Sequence, residues 1–260
     1  MSGARANPPA AAGTIEISEE AGVRYLHFSS DWVQGAMRIR RPFALELAYT
    51  REMMAGLLLR EAPWPRKALL IGLGAGSLAK FIHRYLPQTH STVVEIDPRV
   101  DTVARLHFRL PDDDGRLAVR IGDGAEFMRT DGESYDYILV DGFDKHARAG
   151  VLDTAAFYAN CRARLGRHGL LAVNLLGRSR GFRASAGRIA EAFDGRSLVF
   201  PSCDSGNAIA FAAVGDPVAV DADTLRARAT RLRENSGLNL LPTVTRLEQA
   251  GTLAGGCLRL

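Results

Sequence analysis

The stretch Ala68-Leu69-Leu70-Ile71-Gly72-Leu73-Gly74-Ala75-Gly76-Ser77 constrains the fold more than any other part of this 260-residue chain. Four apolar residues bounded by glycines read as a buried parallel strand. Gly72, Gly74 and Gly76 let the chain turn sharply and bring bare backbone against a ligand. Ser77 is placed to cap a helix from Leu78 to about Leu86, whose N-terminal N–H groups favour an anionic or polar partner. About twenty positions beyond the loop, Glu95 closes a second apolar strand, Thr92-Val93-Val94-Glu95-Ile96. An acid at such a strand end accepts hydrogen bonds from both hydroxyls of a ribose. The third glycine arrives one place early for a dinucleotide loop. G-x-G-x-G is commoner in proteins that bind S-adenosylmethionine or a relative, although a tight strand-to-helix turn needs no ligand at all. Loop and acid together predict a nucleoside ligand.

The rest of the chain fits an α/β protein. Residues 14–41 alternate in three runs, around Ile15, Tyr25 and Val33, separated by turn residues, which predicts an antiparallel β-hairpin or meander. Pro42 ends it, and apolar spacing predicts a helix over 45–59, closed by Pro63 and Pro65. From Lys67 strands alternate with helices: strands at 68–72, 91–96, 117–121, 135–141 and 170–175, helices at 77–86, 98–108, about 154–165 and about 180–193, and a short helix after Gly124. A final antiparallel pair is expected at 197–203 and 207–214, then an amphipathic helix over about 223–235 whose arginines read as a solvated face. The fold class expected is a doubly wound, Rossmann-like sheet of the class I methyltransferase type with a small N-terminal β-module. The division expected is a disordered tail over 1–13, the N-terminal module over 14–62 and a nucleoside-binding catalytic domain over 63–260.

Composition excludes more than it assigns. Residues 1–13 lack the hydrophobic region of a signal peptide, and no apolar run approaches the ~18–20 residues of a membrane span. The net charge of +4 is too small to suggest nucleic-acid binding. Cys161, Cys203 and Cys257 form no C-x-x-C, and the six histidines show no ligand spacing, so no metal is expected. A cytoplasmic protein is the default.

In such sheets the ligand lies over the C-terminal strand ends. Those ends carry the glycine loop, Glu95, Asp123 and Asp141. Asp123, between Gly122 and Gly124, accepts an adenine exocyclic N–H or serves as a plain helix cap. Asp141 ends the strand Ile138-Leu139-Val140 beside the pocket, placed to hold or deprotonate an amine, with Asp144 three residues on; a turn-forming Asp is the alternative.

The run Val94-Glu95-Ile96-Asp97, then Gly122-Asp123-Gly124-Ala125-Glu126-Phe127, then Tyr135-Asp136 through Val140-Asp141 and Asp144, resembles the spermidine synthases. These polyamine aminopropyltransferases set an N-terminal β-module on a methyltransferase-like Rossmann domain. The resemblance implies that Glu95 and Asp123 hold the ribose and adenine of decarboxylated S-adenosylmethionine, that Asp141 orients and deprotonates the attacking amine, and that Asp144 assists. It extends to Gln34 on the β-module and to Tyr49, one residue out of register with the family's Tyr-His-Glu-Met segment, and it implies a homo-oligomer, commonly a dimer. The expected substrate set is decarboxylated S-adenosylmethionine and a small amine such as putrescine. Three departures mark a divergent branch. Ala75 stands where the family's loop has an aspartate that contacts the cofactor's free amine, Arg51 stands where it has histidine, and Asp141-Gly142-Phe143-Asp144-Lys145 lacks the usual prolines. A methyltransferase using intact S-adenosylmethionine is the alternative.

Overall fold

The computed structural model describes residues 14–28, 33–142, 149–177, 180–203 and 206–260; the expected tail and Asp144 lie outside them. The alternating residues near the start form strands β1 (Ile15–Glu20), β2 (Val23–Phe28) and β3 (Val33–Arg38), paired antiparallel in that order. Val23, Leu26, Ala36 and Met37 are buried, whereas β1 stays largely exposed.

Two short helices follow, α1 (Ala48–Met53) and α2 (Gly56–Leu59), where one helix over 45–59 was expected. The break is caused from outside the segment. The Met53 carbonyl accepts from the Tyr137 hydroxyl, so it is taken up from outside the helix. Met54 and Ala55 fall back to bonds three residues behind, on Arg51 and Glu52. Gly56 then passes so close to Tyr137 that a Cβ there would lie 2.5 Å from the phenol oxygen.

The chain next alternates through β4 (Lys67–Ile71), α3 (Ser77–Tyr85), β5 (His90–Glu95), α4 (Pro98–Phe108), β6 (Leu117–Ile121), α5 (Gly124–Thr130) and β7 (Tyr135–Val140). After a 3-10 turn at Gly150–Asp153 come α6 (Ala155–Ala163), β8 (Leu165–Leu176), α7 (Phe182–Ala192), β9 (Ser197–Val199) and β10 (Asn207–Ala213). The seven strands run in the order β6-β5-β4-β7-β8-β10-β9, parallel from β6 to β8 and antiparallel beyond. This is a Rossmann-like α/β fold with a small N-terminal β-module. Alternation along β4 shows how it is covered: Ala68 and Leu70 join one apolar cluster with Phe81 of α3 and Ala104 of α4, while Leu69 and Ile71 join another with Phe157 of α6 and Ile189 of α7.

Beyond the sheet lie β11 (Ala219–Asp221), α8 (Ala222–Ser236), α9 (Leu241–Gln249) and β12 (Cys257–Arg259), with β11 and β12 paired antiparallel. Only α8 was anticipated. Asp221 caps it through the Thr224 N–H at 2.7 Å, and Gly237 ends it in the left-handed region. On α9, Thr243 and Arg246 both donate to the buried Glu52 carboxylate of α1, the Thr243 hydroxyl at 2.9 Å.

The β-module docks on the glycine loop and on the end of α4. Ala75 packs with Leu26, Met37 and Phe108, and a Cβ on Gly35 would lie 2.5 Å from the Ala75 Cβ. Ser77 does not cap α3, which starts from Gly76 in the left-handed region; its hydroxyl donates to the Ala36 carbonyl at 3.2 Å. The last carbonyls of α4 are taken from two sides: Arg24 of β2 donates to His107 O, and Lys80 of α3 donates to Phe108 O at 2.7 Å.

Candidate active site

The strand order sets β6, β5, β4 and β7 side by side, so Asp123, Glu95, the glycine loop and Asp141 follow one another along one edge of the sheet. The loop is bound closely to its neighbours. The Gly72 N–H donates to Val94 O, and the Asp141 N–H donates to Ile71 O, each at 2.9 Å. Gly72 has φ +96°, and a Cβ on it would lie 2.3 Å from the Asp141 carbonyl, so no larger residue fits. A Cβ on Gly74 would meet the Gln34 carbonyl at 3.0 Å, which places β3 directly against the loop.

Glu95 is buried at the end of β5. Its Oε2 accepts from the Leu73 N–H and its Oε1 from the Asp97 N–H, both at 2.9 Å. Burial raises its pKa, and these backbone donors pull it back. A carboxylate has about four lone-pair sites, so these backbone donors leave acceptor capacity for a diol. Asp123 is exposed and caps α5: its Oδ1 accepts from Ala125 N at 2.8 Å and Glu126 N at 3.0 Å. The plain capping role foreseen as the alternative is thus present, with Oδ2 in no hydrogen bond among the described residues. Gly124, the first residue of α5, packs on Ile71, whose Cγ2 would lie 2.5 Å from a Cβ there.

Asp141 keeps partial exposure as a residue, but its carboxyl is deep enough that burial raises its pKa. Two hydrogen bonds oppose that rise. Asn174 Nδ2 donates to Asp141 Oδ1 at 2.8 Å, and the Tyr49 phenol bonds the same carboxylate. Burial and the adjacent Asp141 charge raise the Tyr49 pKa, so the phenol keeps its proton and donates. Tyr49, reached from the sequence only through a segment one residue out of register, therefore meets Asp141 across the fold. Gln34 is half-buried on β3 beside the loop, and Asp144 lies outside the described residues.

Sequence reasoning missed four side chains here. Ile96 and Ile121, directly after Glu95 and before Gly122, are 64% and 50% exposed. Apolar side chains that open beside Asp123 suit the faces of a flat base. Asn174 is 4% exposed, a polar residue inside the apolar run Leu170–Leu176, and that interruption was its signal. Asn207 donates from Nδ2 to Asn174 Oδ1 at 2.9 Å.

The spermine/spermidine synthase domain family matches residues 46–174. A polyamine aminopropyltransferase from Chromobacterium violaceum is 35% identical over 242 residues, which cover 93% of this chain and 92% of that one. This chain belongs to the spermidine synthase family. A second such relative, from Neisseria meningitidis, is 36% identical over 233 residues, with 89% of this chain and 88% of the relative covered. A solved structure of a probable spermidine synthase from Corynebacterium glutamicum superposes with a TM-score of 0.70 at 21% identity, covering 87% of this chain and 88% of that one. Human methyltransferase-like protein 13, solved in complex with SAH, gives 0.59 at 23% identity, covering 78% and 92%. At those identities the two structures establish the fold, which spermidine synthases and methyltransferases share. No group of acids, cysteines and histidines among the described residues is arranged to hold a metal.

Proposed function

We propose that this chain transfers an aminopropyl group from decarboxylated S-adenosylmethionine to a small amine such as putrescine, releasing 5′-methylthioadenosine. The observation that carries the reading is the Asp141 carboxylate, held by Tyr49 and Asn174 on the strand beside the glycine loop. The glycine loop with Gly72, Gly74 and Gly76 receives the nucleoside. Glu95 accepts from the ribose hydroxyls, and Asp123 with Gly124 borders the adenine, whose faces rest on Ile96 and Ile121. Gln34 and Tyr49 line the amine side, and Asp144 assists Asp141 as the family resemblance implies.

An alkylammonium has no lone pair. Asp141 takes one proton from it, directly or through water, and aims the freed nitrogen along the C–S axis. The new N–C bond forms as the C–S bond breaks, and the electron pair returns to sulfur, which leaves as a neutral thioether. The sulfonium is its own leaving group, so the protein supplies position and one base.

The same reading makes the sheet doubly wound, with residues 14–62 as its N-terminal module and 63–260 as the catalytic domain. It makes the enzyme a cytoplasmic homodimer with neither a nucleic-acid nor a membrane partner. No helix among the described residues is long and apolar enough to cross a membrane. The deciding assay offers decarboxylated and intact S-adenosylmethionine with a panel of amines and identifies the nucleoside released. Methylthioadenosine is expected. Adenosylhomocysteine would make the chain a methyltransferase, and absence of both products would end the proposal.

A further inference from the structure

We infer that Asn174 and Asn207 are positioning residues that hold Asp141 as an acceptor, so that it meets the amine ready to take a proton. The inference rests on the reading of Asp141 as the base. Asn207, at the start of β10, donates to Asn174 Oδ1, and Asn174, on β8, donates to Asp141 Oδ1. A primary amide has one acceptor end and one donor end. Once Asn207 occupies the oxygen of Asn174, the NH2 of Asn174 can only face Asp141. That orientation favours the charged carboxylate. The reversed orientation would set an oxygen against it and favour the protonated acid, which has nothing to offer an ammonium group.

Asn207 is itself fixed by the turn between β9 and β10. Its carbonyl accepts from the Ser202 hydroxyl at 2.9 Å and from the Cys203 N–H at 3.0 Å, and Gly177, after β8, donates to Gly206 O at 3.1 Å. Strand pairing continues the link, since β10 lies antiparallel on β8 with Asn207 opposite Leu176 and Ile209 opposite Asn174. Buried amides that cross a sheet are destabilising unless each is bonded. Here the bonds run in one direction and end on the carboxylate.

Among the described residues one other side chain acts in the same sense. From α1 comes the Tyr49 phenol, a donor to the same carboxylate, and the glycine loop contributes backbone alone. No cation among the described residues acts on Asp141. The two asparagines and one phenol therefore carry the whole counterweight to burial on the described side of the site.

The test is single-turnover release of methylthioadenosine across pH in Asn174→Leu, Asn207→Leu and the double variant, with nucleoside affinity and thermal midpoint measured alongside. Loss of a donor to a charged group moves the acid limb of the rate profile upward by about one to two pH units in Asn174→Leu. Asn207→Leu moves it less, in the same direction, and adds nothing once Asn174 is gone. Nucleoside affinity stays within a few-fold. A limb that does not move, or a rate loss equal at every pH, makes the asparagines structural only and overturns the inference. If Asn174→Leu does not fold, the half-buried Asn207→Leu decides alone by the same limb. Asp141→Asn is run in parallel. If it keeps the parent rate, the base assignment falls; if it is slow while the limb of the asparagine variants stays in place, only this inference falls.

Discussion

A carboxylate that takes a proton from an ammonium group must be charged when the amine arrives, and at Asp141 burial works against that charge. The network around it makes Asp141→Asn a clean probe. An asparagine there can accept from Asn174 through its oxygen and keep the shape of the site, losing only charge and basicity. Turnover is expected to fall by ~10²–10⁴, with nucleoside affinity within a few-fold of the parent, measured by single-turnover release and calorimetric titration. Raising the pH recovers part of the rate, because more amine then arrives neutral. Glu95→Gln is the matching change on the nucleoside side. It removes a charged acceptor from the ribose, which should weaken methylthioadenosine binding by roughly ten- to a hundredfold. It also turns an NH2 toward either Leu73 N or Asp97 N, so a modest fall in thermal midpoint accompanies the loss of affinity. Undiminished affinity in a folded variant removes Glu95 from the ribose.

Among elements, α1 does two things at once. Tyr49 on one side reaches Asp141, and Glu52 on another is held by Thr243 and Arg246 of α9. Glu52 is buried, and burial raises its pKa against the pull of Arg246 foremost, with the Thr243 hydroxyl and Arg51 adding to that pull. Arg246→Met should lower stability by about 2–4 kcal/mol at neutral pH, the scale for orphaning one buried charge. Without its partner, Glu52 in the folded protein holds its proton to a higher pH than in the unfolded chain. The penalty therefore shrinks as the pH falls through that range, and urea unfolding at about pH 5 and pH 7.5 should show the difference narrowing. A penalty that does not depend on pH assigns the loss to packing. What the sequence revealed follows the same division by element. The glycine loop, Glu95, Asp123 and Asp141 each stand at a strand end, a position visible from local apolar runs and turn residues. Tyr49 and Asn174 reach one carboxylate, and Asn207 reaches Asn174, only after β8 and β10 pair and α1 folds back over the sheet, and no local spacing encodes that meeting. The break between α1 and α2 is hidden for the same reason, since its cause is Tyr137, on a strand far along the chain. Helix α9 was legible in part: Val244 and Leu247 are buried at helical spacing, with Pro242 near its start.

Over the whole molecule, the seam between the β-module and the Rossmann-like sheet holds a titratable group with no acid beside it among the described residues. Lys80 is 1% exposed, bonded to Phe108 O, and burial lowers its pKa to about 7. Its ordinary value is 10.5, so between about pH 7 and 10.5 the unfolded chain binds the extra proton and the folded chain does not. Stability contributed by this group therefore rises with pH through that window, by at most ~1.4 kcal/mol per unit. Lys80→Met should be more stable than the parent near pH 7, with the gap closing toward pH 9, as read from urea midpoints. An advantage constant across that range would mean that Lys80 keeps its proton in the fold as it does in the unfolded chain. The same seam contains the contact of Gly35 with Ala75, two residues forty positions apart in the chain that meet with no space between them. In lineage terms, these two positions are one character. A bulkier residue at 75 has to displace the β-module or be met by a change across from it, so neither side drifts alone. Chimeras that join the N-terminal module of one relative to the nucleoside domain of another should succeed where the parents agree at this pair and fail where they differ, however well the rest of the two halves match.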